Sequence, residues 1–255
     1  MSKTILITGA TSGIGEATAR LLSAHQYRLI ITGRRSERLY SLSAELMSKD
    51  NSEIHPLILD VRDRLAVENG LATLPDKFKQ IDVLINNAGL AAGLNPIHEG
   101  DPADWEAMID TNLKGLLWVT RIVAAGMAAK GSGHIINLSS IAGKETYPMG
   151  NVYCATKYGV EAITKALRLE LLQKGIKVTS VAPGAVSTEF ASVRFKGDQE
   201  RAKAVYKGFQ PLEAKDIAET ILFVITRPAH VNIDDILIMP TAQAYSRDFN
   251  RSGAQ

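Results

Sequence analysis

The sequence predicts an α/β fold, a doubly wound parallel sheet of about seven strands with helices on both faces. Three observations predict it. Short β-branched runs alternate with longer stretches of helical periodicity, and those runs are apolar almost throughout, as strands covered on both faces must be. The first run also feeds a glycine-rich turn that opens a helix.

In chain order, residues 4–8 (TILIT) read as a buried strand and residues 13–24 as the helix after it. Residues 29–32 give a second strand. Residues 36–48 give a second helix, with Leu39, Leu42 and Leu46 spaced to share one face. Residues 54–59, 83–86, 134–138, 178–181 and 236–239 continue the strand series. Helices fill the intervals, one on either side of Asn112 and another from about 151 to 173. Parallel strands need crossovers, and right-handed crossovers give the Rossmann architecture, with ligands at the carboxyl edge of the sheet.

No Ser/Gly tract, Pro-rich run or charge block divides the 255 residues, so residues 1–255 are expected to form one domain. Hydrophobic residues at 45% and charged residues at 22% argue against disorder. A formal net charge of +2 is too small to imply nucleic acid or an anionic membrane as partner. The lone Cys154 cannot form an internal disulfide, which points to a reducing, cytoplasmic setting; it reads as a small buried hydrophobe rather than a catalytic thiol. No apolar run is long enough to span a bilayer, and a strand beginning within four residues leaves no room for a signal peptide. His25, His55, His98, His134 and His230 are scattered without ligand spacing, so no metal is expected.

The turn after the first strand reads Thr8-Gly9-Ala10-Thr11-Ser12-Gly13-Ile14-Gly15. Its glycines permit close backbone approach, and the helix it opens favours an anion, so it is a candidate seat for a dinucleotide pyrophosphate. Its spacing departs from the usual G-x-G-x-x-G. At the end of the second strand an NAD site would carry Asp or Glu, whereas this chain has Arg34 and Arg35. Forked guanidiniums suit a 2′-phosphate, so NADP(H) is the expected cofactor. Asp60 and Val61 close the third strand, where the acid can accept from an adenine amino group or serve only as a helix N-cap. Asn87, Ala88 and Gly89 follow the fourth strand at the edge where ligands bind.

Tyr153 and Lys157 lie four residues apart in a helical stretch, which stacks them roughly 6 Å apart on one face. An ammonium at that distance would favour a phenolate by about 3 kcal/mol at an effective dielectric near 20, enough to draw the phenol toward neutral pH and proton exchange.

Assembled, these motifs resemble the short-chain dehydrogenase/reductase family along essentially the whole chain: TGATSGIG at 8–15, NNAG at 86–89, Asn112 in TNLKG, INLSS at 136–140, YCATK at 153–157 and PGAVSTEF from Pro183. The resemblance implies a catalytic tetrad of Asn112, Ser140, Tyr153 and Lys157, with Ser140 preferred to Ser139 for its thirteen-residue interval to Tyr153. It further implies hydride transfer between a nicotinamide and a secondary alcohol or ketone, with Tyr153 as acid and base, Ser140 on the substrate oxygen and Asn112 holding a water that links Lys157 to solvent. Pro183, Gly184, Val186 and Thr188 are then expected at the nicotinamide. Residues 186–210 read as a substrate-covering lid.

The downstream half is most similar to the NADP-dependent 3-hydroxy acid dehydrogenases, which include serine and allo-threonine dehydrogenases, through GNVY at 150–153, VRFKGD at 193–198, PAHVNI at 228–233 and Met239-Pro240. Tyr147, Arg194 and Lys196 are candidate substrate residues, Arg194 before Lys196 because its fork matches a carboxylate; solvated surface charges are the plainer reading of both. Two other functions remain open: a reductase of hydrophobic or dicarbonyl ketones with Tyr147, Met149 and Phe195 as an apolar wall, and an NADP(H)-sensing protein without turnover. The resemblance implies a homotetramer. Residues 240–255 read as a subunit-crossing arm or a frayed end.

Overall fold

The computed structural model describes residues 2–252. Strand β1 (Thr4–Ile7) shows how the sheet is buried on both sides. Successive side chains of a strand point to opposite faces, so Ile5 and Ile7 enter one apolar layer and Leu6 the other. The strands β2 (Arg28–Gly33), β3 (Ile54–Ile58), β4 (Val83–Asn86), β5 (Gly133–Leu138) and β6 (Ile176–Pro183) follow. After β7 (Val186–Ser187) and β8 (Leu212–Glu213) comes β9 (Asp235–Ile238), then β10 (Gln243–Tyr245) and β11 (Asp248–Phe249). Seven of them pair in parallel in the order β3-β2-β1-β4-β5-β6-β9. The chain order reverses between β1 and β4, and that switch point opens the crevice at the carboxyl edge.

Helices close both faces. On one side α1 (Gly13–Ala24), α2 (Ser36–Asp50) and, late in the chain, α10 (Ala214–Ile225) bring Leu22, Leu39, Ile217 and Ile221 onto Ile5, Ile7, Ile31 and Ile85. On the other, Val67 of α3 (Arg64–Ala72) and Val119, Val123 and Met127 of α6 (Leu116–Lys130) cover Leu6, Ile30, Leu84 and Ile135. Burying each such side chain contributes about 1.5–3 kcal/mol, so both layers are needed to offset ordering of the chain. The short α4 (Asp76–Lys79) precedes β4, and α5 (Pro102–Ile109) precedes α6. Between α5 and α6, Asp110–Gly115 widens into a π-helical turn that turns Asn112 inward. Helix α7 (Asn151–Leu171) carries Tyr153, and α8 (Phe190–Arg194) and α9 (Gln199–Ala204) lie between β7 and β8.

Expected element ends move by one or two residues in most cases. Helix α2 runs to Asp50 because Asn51 takes the left-handed conformation that stops it, at φ 51°. Helix α7 gives way at Leu172 to one 3₁₀ turn ended by Gly175 at φ 65°. The stretch 186–210 has structure of its own: β7 and β8 pair at its base and two helices fill it. The C-terminal stretch is not frayed over its described part, because β10 and β11 form an antiparallel hairpin; residues 253–255 lie outside the described residues.

Candidate active site

Backbone contact shapes the nucleotide end. Gly9 and Gly13 hold φ of +69° and +55°, which other residues adopt only at a cost. A Cβ on Gly9 would lie 2.9 Å from Ala88 Cα, and one on Gly15 would strike the Gly9 carbonyl and Asn87 Nδ2. Asn87 fastens this turn: its Nδ2 donates to the carbonyls of Thr8 (2.9 Å) and Gly9 (3.0 Å). The Thr8 hydroxyl in turn accepts from the amides of Asn87 and Ala88, both at 3.0 Å. Ser12 is the N-cap of α1 but makes no side-chain capping bond, so the first amides of the helix face the crevice uncapped. The Ile14 side chain packs on the apolar layer beneath. A tight glycine cradle at an open helix N-terminus fits a dinucleotide pyrophosphate.

The two arginines differ in their engagements. Arg35 donates to Thr11 Oγ1 (3.1 Å), Ser12 Oγ (2.6 Å) and Glu189 (2.9 Å), so it braces the glycine turn against the lid. Arg34, 57% exposed, has only Asp60 at 3.9 Å, and its fork is open to a 2′-phosphate. Asp60 does not cap α3; Asp63 does, accepting from the Ala66 amide at 3.0 Å. Asp60 instead accepts from Arg62 through both carboxylate oxygens. Burial pushes its carboxyl up, but Arg62 outweighs burial and holds it below the ordinary value. Val61 is buried beside it.

Further along the edge, Asn112 and Lys157 meet at Gly89. A Cβ there would meet Asn112 Oδ1 at 3.3 Å and Lys157 Nζ at 3.6 Å. Asn112 is fully engaged: Oδ1 accepts from the Leu90 amide (2.8 Å), and Nδ2 donates to the Leu90 carbonyl (2.9 Å) and Thr156 Oγ1 (3.0 Å). Ser140 caps the 3₁₀ turn Ile141–Gly143 through the Ala142 amide at 3.1 Å and borders the Tyr153 phenol. Ser139 Oγ is buried without a partner, against Gly143. Lys157 donates to the Leu138 carbonyl at 2.8 Å.

The expected drop in the Tyr153 pKa is overturned. Burial, then the neighbouring Tyr147, pushes the phenol well above its ordinary value against the opposing pull of Ser140 and Arg194; Lys157 is not among the groups that move it. The ammonium is committed to Leu138, and burial lowers Lys157 itself to about 8, with Glu161 pulling the other way. Cys154 is buried beside this pair, and burial holds its thiol up, as befits a packing residue.

On the substrate side, a small cleft is bounded by Gly93, Trp105, Met149, Tyr153 and Arg194. Trp105 was not expected there; it comes from α5, whose short amphipathic stretch gave no sign of facing a ligand. Arg194 donates to the Gly93 carbonyl (3.1 Å) and to Tyr147 Oη (2.9 Å), and its guanidinium lies 5.7 Å from the Tyr153 ring centre. Lys196, the other candidate for a substrate acid, pairs instead with Asp101 (3.2 Å) and Asp104 (3.0 Å). Pro183 ends β6, and the Gly184 amide donates to the Ile238 carbonyl at 2.7 Å. Gln243, which no sequence signal marked, accepts from the Ala185 amide at 2.9 Å and pins this turn to the C-terminal hairpin. Val186 begins the short pairing with Leu212, and the Thr188 side chain lies against Gly13.

Comparison with known proteins accords with this geometry. Residues 3–199 match the family model of the short chain dehydrogenases. The chain is 47% identical over 243 residues to the NADP-dependent 3-hydroxy acid dehydrogenase YdfG of Salmonella typhi, covering 95% of this chain and 96% of that protein. It is also 47% identical to sulfoacetaldehyde reductase 2 of Chromohalobacter salexigens, over 96% of this chain and 97% of that one. Among solved structures, the closed form of a serine dehydrogenase complexed with NADP+ superposes with a TM-score of 0.92 at 46% identity, covering 95% of this chain and 97% of that chain.

Proposed function

The chain belongs to the short-chain dehydrogenase family and is an NADP-dependent oxidoreductase acting on CH–OH groups, and on that footing we propose its substrate and its acid–base residue. It moves a hydride between NADP(H) and the C3 hydroxyl or ketone of a small 3-hydroxy acid, such as serine or allo-threonine, with Tyr153 as general acid and base. One observation carries this reading: a buried phenol stands beside the Ser140 hydroxyl, and the Arg194 guanidinium, without an ion pair among the described residues, lies over its ring.

When bound, NADP supplies or accepts the hydride at its nicotinamide. Arg34 would hold the 2′-phosphate with Arg35 bracing the turn, Gly9 and Thr11 to Gly15 would receive the pyrophosphate, and Asp60 with Val61 the adenine. Asn87 to Gly89, Pro183, Gly184, Val186 and Thr188 would hold the remaining half of the dinucleotide. In reduction, burial keeps Tyr153 protonated at neutral pH, so Oη holds a proton ready for the nascent alkoxide. Ser140 Oγ donates to the same oxygen and steadies its charge. Once the phenolate forms, Ser140 and Arg194, the groups that pull against burial at this phenol, offset its charge. With its pKa at about 8, Lys157 is still mostly cationic at neutral pH. Asn112 is a positioning residue, tying Leu90 to Thr156, the neighbour of Lys157 in α7.

The substrate class follows from the anion site. In a 3-hydroxy acid, in serine and in sulfoacetaldehyde alike, one carbon separates the reacting carbon from an acidic head. Arg194, with unengaged N–H groups beside Tyr153, suits such a head. An apolar ketone fits less well, because guanidiniums face two of the three rings and chains expected to form its wall, Tyr147 and Phe195. Tyr153→Phe should lower turnover of serine, allo-threonine and 3-hydroxybutyrate by about 10²–10⁴-fold while NADPH still binds. Near-full turnover by that variant would defeat the scheme.

A further inference from the structure

We propose that Arg247, between the two strands of the C-terminal hairpin, is the second jaw of the substrate's acid site and sets the preference for anionic heads together with Arg194. The inference rests on the 3-hydroxy acid reading and adds a residue from a part of the chain that the reading leaves idle.

Both guanidiniums address one ring. Arg194 Cζ lies 5.5 Å, and Arg247 Cζ 5.4 Å, from the centre of Tyr147, which packs with Tyr153 in one buried cluster. Around the cofactor end of the crevice, Arg35 and Arg38 are matched by Glu189, and Arg62 by Asp60. Neither Arg194 nor Arg247 forms an ion pair among the described residues, and Arg247 forms no hydrogen bond either. Arg194 uses Nε and Nη1 and leaves Nη2 unengaged. Two like charges gathered at one ring repel each other, and an anion between them removes that cost. They also act alike on the Tyr147 phenol: burial raises its pKa, and both arginines pull it down, as they would favour any negative charge at that place.

The hairpin is fixed firmly enough to aim a side chain. Gln243 accepts from the Ala185 amide, and Phe249 stacks on Phe209 of the lid with ring centres 4.5 Å apart. The Ser246 amide donates to Glu145 at 2.9 Å, so the carboxylate that touches the hairpin is occupied by backbone rather than by Arg247. The expected ligand follows from the donor count. One guanidinium fork satisfies the two oxygens of a carboxylate, and a second guanidinium has most to add where the head carries a third oxygen, as a sulfonate does.

The test compares kcat and KM of Arg247→Ala, Arg247→Lys and Arg194→Ala on 3-hydroxypropanoate, 2-hydroxyethanesulfonate and the neutral 3-hydroxypropanamide. Because Arg247 is exposed, its removal should cut the preference for acid over amide about fivefold, more for the sulfonate, with the loss on KM rather than kcat; Arg247→Lys should recover part of it. Arg194→Ala, nearer the phenol, should cost about 10–100-fold. An unchanged preference in Arg247→Ala beside a loss in Arg194→Ala overturns the role of the hairpin and leaves the 3-hydroxy acid reading standing. No change in either variant overturns both.

Discussion

The glycine turn and the lid meet at Thr188, whose side chain lies against Gly13, yet the two are built on different terms. At the turn, atoms are so close that hydrogen would be tolerated where carbon is not. Carbonyls are tied by Asn87, and Arg35 is held by Thr11, Ser12 and Glu189. In the lid and the hairpin behind it, helices are a turn or two long, Gly197 at φ +93° faces open space, and the Arg194 and Arg247 guanidiniums rest on a ring with no counterion among the described residues. On the proposed reading, the cofactor would be received by shape that admits little variation, and the substrate by charges that a few substitutions could rearrange.

The largest effect should come from adding one methyl group to the turn. In Gly15→Ala the new carbon meets the Gly9 carbonyl and Asn87 Nδ2, and the backbone must shift; NADPH binding should be lost and stability should fall by about 1–3 kcal/mol. Gly126→Ala on the exposed side of α6, with nothing within 4 Å, should instead raise stability by about 0.5–1 kcal/mol. Equal melting temperatures for the two variants would erase the contrast drawn above.

Next in size is the division between the paired arginines. Arg34→Ala should reduce the preference for NADPH over NADH by about tenfold or more, since it removes an open fork. Arg35→Ala should weaken both cofactors together, because it unbraces the turn. Titration of each variant with both dinucleotides distinguishes them, and a preference lost only in Arg35→Ala would reverse the assignment.

The smallest effect is on the pH dependence of stability. Lys157 has a folded pKa of about 8 against an ordinary 10.5, so between those values the unfolded chain binds a proton there that the folded chain releases. Stability therefore rises with pH across that window through this group. Above about pH 10 the raised phenol of Tyr153 acts in the opposite sense, staying protonated in the fold while the unfolded form ionises. Lys157→Met should flatten the rise in urea midpoint between about pH 8 and pH 10. An equally steep rise in the variant would show that burial does not perturb this amine.

The sheet was legible because its strands are short, β-branched and apolar on both faces, a pattern few other structures produce. The glycine turn was legible from its place after the first strand, whereas the proposed tetrad was reached through the family resemblance. Burial was not. The spacing of Tyr153 and Lys157 describes a pair of charges, whereas the fold gives the amine to the Leu138 carbonyl and leaves desolvation to set the phenol. Polar segments hid their structure too: α9 is six residues long and capped by Asp198, below the length at which periodicity speaks. In sequence Arg194 was preferred to Lys196 only for its fork; the fold brings Asp101 and Asp104 to Lys196 and leaves Arg194 without a carboxylate among the described residues.

The π-helical turn at Asp110–Gly115 places a constraint on length rather than on identity. Each residue of a helix advances its neighbours by about 100°, so deleting one residue there would swing the whole of α6 by that angle. Val119, Val123 and Met127 would leave the sheet, and Thr120 would leave Asn86, to which it is joined at 2.8 Å. Substitutions along this segment are judged one at a time by what each side chain touches, but a change in residue number would be felt simultaneously by every contact downstream to Lys130.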